Sequence, residues 1–240
     1  MHHELGEVEA IIRYPVKSMA GERLDRAHLG WHGIDGDRRF AFRRSAETGG
    51  FPWLTAGRLP ELVLYQPLGR DDAGLPTHVR TPDGRELAIT GDELRDEIAA
   101  RHGAGVQMMR LDHGIFDEAP LSLLAIETVC AVERAAERPV DIRRFRPNVI
   151  IRTRDPVAFE EDAWVGTIIT FGDGDDAPAV AVTCRDKRCL MLNVDPDSAA
   201  NDPAVMKSVV RLNQNNAGVY GTVIRSGVAA VGQRLHARSP

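Results

Sequence analysis

Short apolar stretches alternate with Gly, Pro and Asp breaks through roughly the first hundred residues, and this spacing constrains the fold more than any other feature. Runs of this length between turn residues are typical of the strands of a β-barrel or β-sandwich. The pattern predicts strands at residues 8–14, 38–42, 62–65 and 86–89. A helix is expected at residues 93–101, where Asp92 can cap the start and Gly103 can terminate the end.

The second half of the chain has further strand-like segments and two helical ones. Residues 126–136 carry apolar side chains at helical spacing until Pro139 stops the pattern, and residues 204–212 form a later helical segment. Strands are predicted at residues 121–124, 148–152, 167–171, 179–183, 218–224 and 233–236. Helices do not alternate with strands, so a mainly antiparallel architecture is favoured over a doubly wound parallel sheet. The expected class is mainly β with a few helices (α+β), with a composition shift near residues 110–118.

The charge balance and the short apolar runs argue against several classes of function. Thirty Lys and Arg residues against 35 Asp and Glu give a net charge of −5, which disfavours binding to nucleic acid. No stretch approaches the ~20 apolar residues of a membrane span, and the N-terminus lacks a signal-peptide pattern. Three cysteines cannot build a disulfide framework in a chain of 240 residues. We therefore expect a cytoplasmic protein that contacts neither nucleic acid nor a membrane.

Cys189 differs from the other two cysteines because Lys187 and Arg188 precede it. Neighbouring cations stabilise a thiolate, the form of cysteine that binds metals or attacks electrophiles. Cys130 lies on the apolar face of a predicted helix and Cys184 at the end of a predicted strand, so both are expected to act as small hydrophobic residues. A structural zinc site needs four Cys or His ligands, and this spacing offers two cysteines with no paired histidines nearby.

Three polar segments at predicted strand ends have side chains that could bind an anion. Residues 143–146 contain three arginines, and Asn148 follows them. Arginine binds phosphate bidentately, and an Asn amide can pair with the edge of a heterocycle. Residues 14–18 and 36–40 offer similar donors. Taken alone, each segment is more often a solvated face, and none of them by itself identifies a ligand.

Together and in this order, these segments resemble those of a known family. The matching segments are Tyr14-Pro-Val-Lys-Ser-Met, Gly36-Asp-Arg-Arg-Phe, Leu54-Thr-Ala-Gly-Arg-Leu-Pro, Asp117-Glu-Ala-Pro-Leu-Ser, Arg144-Phe-Arg-Pro-Asn-Val, Arg188-Cys-Leu-Met-Leu-Asn-Val-Asp-Pro-Asp and Gly218-Val-Tyr-Gly. The chain resembles the MOSC-domain family with its N-terminal β-barrel domain, and is similar to the mitochondrial amidoxime-reducing components and their bacterial relatives. The resemblance spans nearly the whole chain. It implies a smaller β-rich N-terminal domain over residues 1–112 and a MOSC-type β-barrel domain over residues 113–240.

The resemblance implies a molybdenum cofactor, a mononuclear metal on molybdopterin, and no pyridoxal phosphate. Cys189 is then the metal ligand and the catalytic residue, since a soft thiolate suits a metal already bound through dithiolene sulfurs. The cofactor-binding residues implied in the same way are Lys17, Ser18, Arg38, Arg146, Asn148 and Arg188. Their cations and hydrogen-bonding groups fit a phosphorylated heterocycle.

The chain departs from these relatives at positions near the expected pocket. Gly57 stands where they carry Arg, and Arg58 comes one place later. Glu118 and Ala119 stand where they carry small hydroxyl residues, and Lys187 stands where they carry Ser. These differences bear on phosphate contacts and on substrate range more than on metal ligation.

The activity implied by the resemblance is reduction of small N-oxygenated molecules, such as N-hydroxylated amidines or hydroxylamines. Three cysteines cannot supply the usual four thiolates of an iron–sulfur cluster, and the sequence has no glycine-rich dinucleotide fingerprint. Electrons are therefore expected from a separate ferredoxin-like, flavin or haem protein. Two other functions are consistent with the same residues: a sulfur carrier with a persulfide on Cys189, and a cofactor-binding protein without turnover of its own.

Overall fold

The computed structural model describes residues 3–238, which form sixteen strands and three α-helices. The strands are β1 (His3–Arg13), β2 (Glu22–Leu24), β3 (Arg26–Gly30), β4 (Gly33–Ile34), β5 (Phe40–Arg44), β6 (Gln66–Leu68), β7 (His78–Arg80), β8 (Glu86–Ala88), β9 (Val106–Arg110), β10 (Leu121–Ala125), β11 (Val149–Thr153), β12 (Ile168–Phe171), β13 (Ala179–Lys187), β14 (Asn216–Arg225), β15 (Gly227–Ala230) and β16 (Arg234–Arg238). The helices are α1 (Asp92–His102), α2 (Ile126–Ala136) and α3 (Pro203–Asn213). The predicted class, mainly β with a few helices, is confirmed. No helix of the described chain is long and apolar enough to cross a membrane.

Seven strands close into a barrel in the order β11, β10, β14, β13, β12, β16 and β1, and β1 pairs back onto β11. All of these pairs are antiparallel except β10 with β11, so the predicted antiparallel architecture is confirmed with one parallel exception. Closure leaves no free edge among these strands. The barrel core contains large buried side chains that include Leu5, Val8, Ile11, Leu121, Val149, Phe171, Val219 and Leu235.

A second, smaller unit packs around its own core. The β5–β9 pair, the β6-β7-β8 sheet, α1 and the 3-10 helix Pro60–Leu64 surround a cluster that includes Phe40, Phe42, Leu62, Tyr65 and Leu94. The two units interlock, because β1 lies in the barrel and β3 pairs with β15. Val194, from the second half of the chain, packs into the smaller core. The domain boundary at residue 112 stays a prediction.

The predictions from local sequence patterns assigned one element wrongly, ended another too early, and missed seven strands: β2, β3, β4, β6, β7, β9 and β15. Residues 62–65 do not form the predicted strand, because Pro60 occupies the first turn of a 3-10 helix that buries Leu62 and Val63. Strand β13 continues to Lys187, beyond the predicted end at residue 183, because its pairing with β14 extends as far as Lys187. The position preceding α1 is occupied by Gly91 without a side-chain cap, so the predicted cap by Asp92 was wrong. The left-handed Gly103 ends this helix, as predicted.

A buried carboxyl group connects α2 with the barrel. Glu161 accepts hydrogen bonds from the Thr128 hydroxyl (2.9 Å, at Oε2) and the Gly218 amide (3.2 Å, at Oε1). Burial raises the pKa of Glu161 to about 7, although these hydrogen bonds favour its charged form. The folded protein therefore holds a proton on Glu161 at a pH where the unfolded chain has lost it.

We expect Glu161→Gln to remove a pH dependence of stability. Because the folded-state pKa lies above the unfolded value, the free energy of unfolding of the natural protein falls as the pH rises from about 4.5 to about 7, by roughly 3 kcal/mol. The free energy of unfolding of Glu161→Gln should not fall in this way. The difference in this free energy between the variant and the natural protein should therefore shift in favour of the variant by roughly 3 kcal/mol between pH 5 and pH 8. Urea unfolding at several pH values measures the difference, and parallel profiles would contradict the role of Glu161.

Candidate functional site

A cavity of about 740 Å³ opens between the smaller unit and the barrel, which is a typical size for a small-molecule site. We call it the Cys189 cavity. Every predicted site residue except Asn148 lines it: Lys17, Ser18, Arg38, Arg146, Arg188 and Cys189. These residues come from segments far apart in sequence, which the interlocking of the two units brings together.

Three of these residues have an unusual backbone conformation. The φ angles of Ser18, Arg38 and Arg146 are 68°, 45° and 52°, in the left-handed region that non-glycine residues seldom adopt. Hydrogen bonds hold two of them in place, since the Arg38 amide donates to the Tyr14 carbonyl (2.7 Å) and the Arg146 amide to the Arg143 carbonyl (3.1 Å). Strained residues of this kind cluster at functional sites, where the surrounding structure fixes them.

Arg38 is buried at the centre of a charged network. Its guanidinium forms ion pairs with Asp37, which is fully buried, and with Asp117 (Nε to Oδ2, 2.5 Å). It also donates to the Arg146 carbonyl (3.0 Å). Burial alone would lower the pKa of Arg38, but Asp37 and Asp117 outweigh burial and raise it. Arg38 is therefore a permanently charged and rigidly held group in the cavity wall.

Lys17 and Asp117 form the next part of the network. The Lys17 ammonium donates to the Phe116 carbonyl (2.7 Å) and lies 3.6 Å from Asp117 Oδ1. Burial lowers the pKa of Lys17, and the Asp117 carboxylate partly offsets this effect. Burial of Asp117 would raise its own pKa, but Arg38 and Lys17 together hold that pKa below its usual value. Asp117 is thus the counterion of two predicted cofactor-binding residues.

Asn148 lies behind the wall of the cavity. It is buried, and its Oδ1 accepts hydrogen bonds from Arg38 Nη1 (3.1 Å) and from the Ser122 amide (3.1 Å). Its amide nitrogen donates to the Ile12 carbonyl (3.3 Å). The contacts of Asn148 therefore position Arg38, and its predicted contact with a cofactor stays a prediction.

Arg146 and Arg188 have guanidinium groups with unused donors. Arg188 forms a close ion pair with Asp186 and donates to the Phe145 carbonyl, while its buried Nε has no acceptor among residues 3–238. Arg146 donates to the Met19 carbonyl (2.7 Å), and its Nη2 is likewise unpaired within the described chain. Burial lowers the pKa of Arg146 to about 10. Buried donors without acceptors are uncommon, and an anionic ligand would satisfy them.

The Cys189 thiol is exposed and lines the cavity just after β13. The residue before it is held by two hydrogen bonds, since the Arg188 amide donates to the Asn215 carbonyl (2.9 Å) and Asn215 Nδ2 donates to the Arg188 carbonyl (2.9 Å). Cys184 is also exposed, within β13, so the expectation that it acts as a small hydrophobic residue was wrong; it does not line the cavity. Cys130, expected on the apolar face of α2, is half-buried and lines a different cavity.

Sequence reasoning missed several side chains of the Cys189 cavity. Asp117 and Asp186 are the counterions of cations in the cavity wall. The sequence could have indicated acidic residues here, because buried cations need acidic partners. Tyr220 also lines the cavity, and burial together with Asp186 and Asp117 raises its pKa, so its hydroxyl keeps its proton. The apolar part of the wall includes Trp53 and Phe116, whose ring centroids are 4.6 Å apart in an edge-to-face arrangement.

Two family models match this chain, and their ranges overlap at residues 102–119. The MOSC domain matches residues 102–236, and the MOSC N-terminal beta barrel domain matches residues 5–119. The chain belongs to the MOSC family. Proteins of the MOSC family are generally associated with binding of the molybdenum cofactor. No curated protein matches the chain.

The chain is similar to solved structures over different shares of its length. The YuaD protein of Bacillus subtilis is similar over 100% of this chain and 98% of its own, with a TM-score of 0.55 and 14% identity. The YiiM protein of Geobacillus stearothermophilus matches 50% of this chain and 55% of its own, with a TM-score of 0.39 and 20% identity. At this identity, the likeness to YuaD shows the fold alone.

The residues of the Cys189 cavity fit the cofactor of the MOSC family. Seven basic and three acidic side chains line the cavity, although the chain as a whole is acidic. The unpaired Nε of Arg188 offers a donor to an anionic group. Residues 3–238 contain no cluster of three or more His, Cys, Asp or Glu side chains placed to hold a metal ion. A metal at Cys189 would therefore take its remaining ligands from a cofactor, as a dithiolene provides.

Two of the positions at which this MOSC chain departs from its relatives lie in the cavity wall. Glu118 and Lys187 both line the Cys189 cavity and are exposed. Arg58 is exposed and does not line it. A side chain at Gly57 would have room, because an added Cβ would lie 3.8 Å from the Met191 amide nitrogen. Arg58 therefore adds no side chain to the wall of the Cys189 cavity.

Proposed function

We propose that this MOSC protein is a molybdenum-cofactor oxidoreductase that reduces small N-hydroxylated compounds, with Cys189 as the metal ligand. The observation that carries the proposal is the exposed Cys189 thiol in a cavity whose wall is rich in cations and contains an unpaired guanidinium donor. A thiolate ligand and a cationic cradle are the two features that a metal on an anionic, phosphorylated cofactor requires.

The residues of the cavity have separate roles in this proposal. Lys17, Arg38 and Arg188 hold the anionic cofactor by charge-assisted hydrogen bonds, and Asp117 and Asp186 fix the positions of these cations. Ser18 contributes a hydroxyl, which in the structure lies 3.8 Å from the Met191 sulfur. Since the cations are already positioned by buried partners, little reorganisation is needed when the cofactor binds.

The apolar and phenolic side chains bear on the substrate. When bound, the cofactor supplies two-electron oxygen-atom transfer chemistry. The N–O bond of the substrate breaks, two electrons and two protons are consumed, and the products are the amine or amidine and water. Trp53, Phe116 and the exposed Phe51 form an aromatic wall that suits a planar organic substrate. The protonated Tyr220 hydroxyl can donate a hydrogen bond to the N-hydroxyl oxygen.

Electrons for this reaction are proposed to come from a separate ferredoxin-like, flavin or haem protein in the cytoplasm. The sequence offers neither four cysteines for a cluster nor a dinucleotide fingerprint. Contacts between redox partners are commonly small and transient, so a functional assay is a better test than co-purification.

Metal analysis and turnover together test the proposed function. Freshly purified protein is expected to contain stoichiometric molybdenum, and to reduce a hydroxylamine with a chemical reductant or with NADH, a reductase and a carrier. NADH alone should give no turnover. Metal-free protein with cyanide-labile sulfur on Cys189 would instead favour the sulfur carrier, and molybdenum without turnover under any donor would favour a cofactor-binding protein.

Lys17→Ala and Arg146→Ala are each expected to lower cofactor occupancy. Loss of a hydrogen bond to a charged group costs about 1.5–3 kcal/mol, which corresponds to a roughly ten- to hundredfold weaker binding. Molybdenum per protein after gel filtration measures the effect. A suitable control is Arg58→Ala, because Arg58 is exposed and outside the cavity wall. Undiminished molybdenum in both variants would show that neither side chain holds the cofactor.

A further inference from the structure

A second cavity, of about 670 Å³, adjoins the Cys189 cavity. Its walls come from β1 and the segment that follows, from α2, and from residues 140–146. We call it the Tyr14 cavity. Arg144, Arg146 and Met191 line both cavities, whereas Lys17 and Cys189 line the Cys189 cavity and not this one. The volume is within the range of small-molecule sites.

The surface that lines the Tyr14 cavity is mainly apolar, although six charged residues also contribute to it. Buried side chains in its wall include Ile12, Val63, Val129, Val140 and Val194. The cavity is an open cleft and not a void in the core, so a ligand can reach this wall from solvent. An aliphatic wall favours the hydrocarbon part of a ligand.

Buried donors without acceptors belong to the same lining. The Tyr14 hydroxyl and Arg144 Nε have no hydrogen-bond partner anywhere in the described part of the chain, although Tyr14 is only 2% exposed and Arg144 8%. The guanidinium carbon of Arg146 lies 4.0 Å from the centre of the Tyr14 ring. Burial raises the pKa of Tyr14 to about 12, so its hydroxyl remains a donor at neutral pH. This end of the cavity offers donors and positive charge.

Arg143 and Arg144 in this lining have carboxylate partners, whereas Arg146 forms no ion pair within residues 3–238. Asp141 is already bound by Arg143, which also pairs with Asp197. Arg144 pairs with Asp195 through Nη2, which leaves its Nε unpaired. The polar end therefore suits a singly charged acceptor group, and the aliphatic wall disfavours a fully hydrated anion such as free phosphate.

We propose that the Tyr14 cavity is a binding site for a small amphipathic carboxylate. Its carboxylate accepts a hydrogen bond from the Tyr14 hydroxyl and lies beside the Arg144 and Arg146 guanidinium groups, and its hydrocarbon chain packs among the valines. The site shares Arg144 and Arg146 with the wall of the Cys189 cavity, whereas Tyr14 lines the Tyr14 cavity and not the Cys189 cavity. Octanoate titrations therefore compare preparations of known and equal molybdenum content.

Calorimetric titration with octanoate, octanol and inorganic phosphate tests this site. Octanoate is expected to bind saturably, and Tyr14→Phe, which removes only the hydroxyl, should weaken it about tenfold. Lys17→Ala is the matched control, since it removes a cation from the Cys189 cavity alone, and it should leave octanoate affinity unchanged. Octanol should bind at least about tenfold more weakly than octanoate, and phosphate should not displace octanoate.

Alkylation of the cysteines tests the location on the natural protein, independently of how the variants fold. Cys130 lines the Tyr14 cavity and Cys184 does not, so octanoate should slow the reaction of Cys130 with N-ethylmaleimide and leave Cys184 unaffected. Peptide mass mapping follows both thiols at once. The proposal is overturned by an absence of saturable binding, by equal octanoate affinity in Tyr14→Phe, by octanol binding as tightly as octanoate, by displacement with phosphate, or by an unprotected Cys130.

Discussion

Replacing Cys189 by serine is expected to abolish molybdenum-dependent turnover while the fold stays intact. The thiol is exposed and lines the cavity, so serine removes a soft metal ligand without opening the core. Loss of a residue that only hydrogen-bonds to a metal ligand can lower metal affinity or activity about 10- to 100-fold. Loss of the ligand itself should therefore lower turnover by more than about a hundredfold. The free energy of unfolding should change by less than about 0.5 kcal/mol, as for other exposed substitutions. Turnover and molybdenum content of the purified variant give the two readouts.

The other cysteines provide controls for this variant. Cys184 is also exposed but lies outside the cavity wall, so Cys184→Ser should keep both molybdenum and turnover. Cys130→Ser should keep activity and lower stability by about 1 kcal/mol, because it places a hydroxyl at a half-buried position. Full activity of Cys189→Ser in a molybdenum-replete preparation would show that another group binds the metal.

Local patterns predicted the three α-helices and nine of the sixteen strands between residues 3 and 238, because those elements depend on side chains close in sequence. Residues 126–136 have an apolar face at helical spacing, and α2 has those limits. Closure of the barrel could not be predicted in the same way. Strand β1 pairs with β11 and with β16, which follow it by more than a hundred residues along the chain, and no local pattern records such a pairing.

The candidate site was predictable where chemistry depends on neighbours in sequence, and less so where it depends on packing. Arg188 precedes Cys189 in the sequence, and this neighbour identified the Cys189 thiol as a candidate site residue. The structure places both residues in one cavity. Asn148 could not be told from a ligand-binding amide in the sequence, because only the fold shows that its side chain bonds to Arg38 and Ser122. The role of Asp117 also depends on folding, since its partner Arg38 is distant in sequence.

Arg38→Ala is expected to destabilise the protein by about 3–5 kcal/mol, the usual result of removing one partner from a buried ion pair. The substitution leaves Asp37, which is fully buried, and Asp117 without the guanidinium that pairs with both. Typical domains are stable by about 5–15 kcal/mol, so this is a large fraction of the total. Urea unfolding at pH 7 measures the loss. Arg80→Ala is the matched control, because its pair with Glu86 is about half exposed and should contribute less than about 1 kcal/mol.

A pH series and a double variant separate lost charge pairing from lost packing at Arg38. Arg38 and Lys17 hold the pKa of Asp117 below its usual value, so the stability that Asp117 contributes is present above its unfolded pKa of about 4 and is lost as the pH falls through its lower folded pKa. The deficit of Arg38→Ala should therefore be largest near neutral pH and shrink in acid. Adding Asp37→Asn removes the most buried of the unpaired carboxylates and should restore at least about 1 kcal/mol, because an uncompensated buried charge is the main cost. A deficit independent of pH and unchanged by Asp37→Asn would mean that Arg38 acts through packing, and that its ion pairs do not fix the wall of the Cys189 cavity.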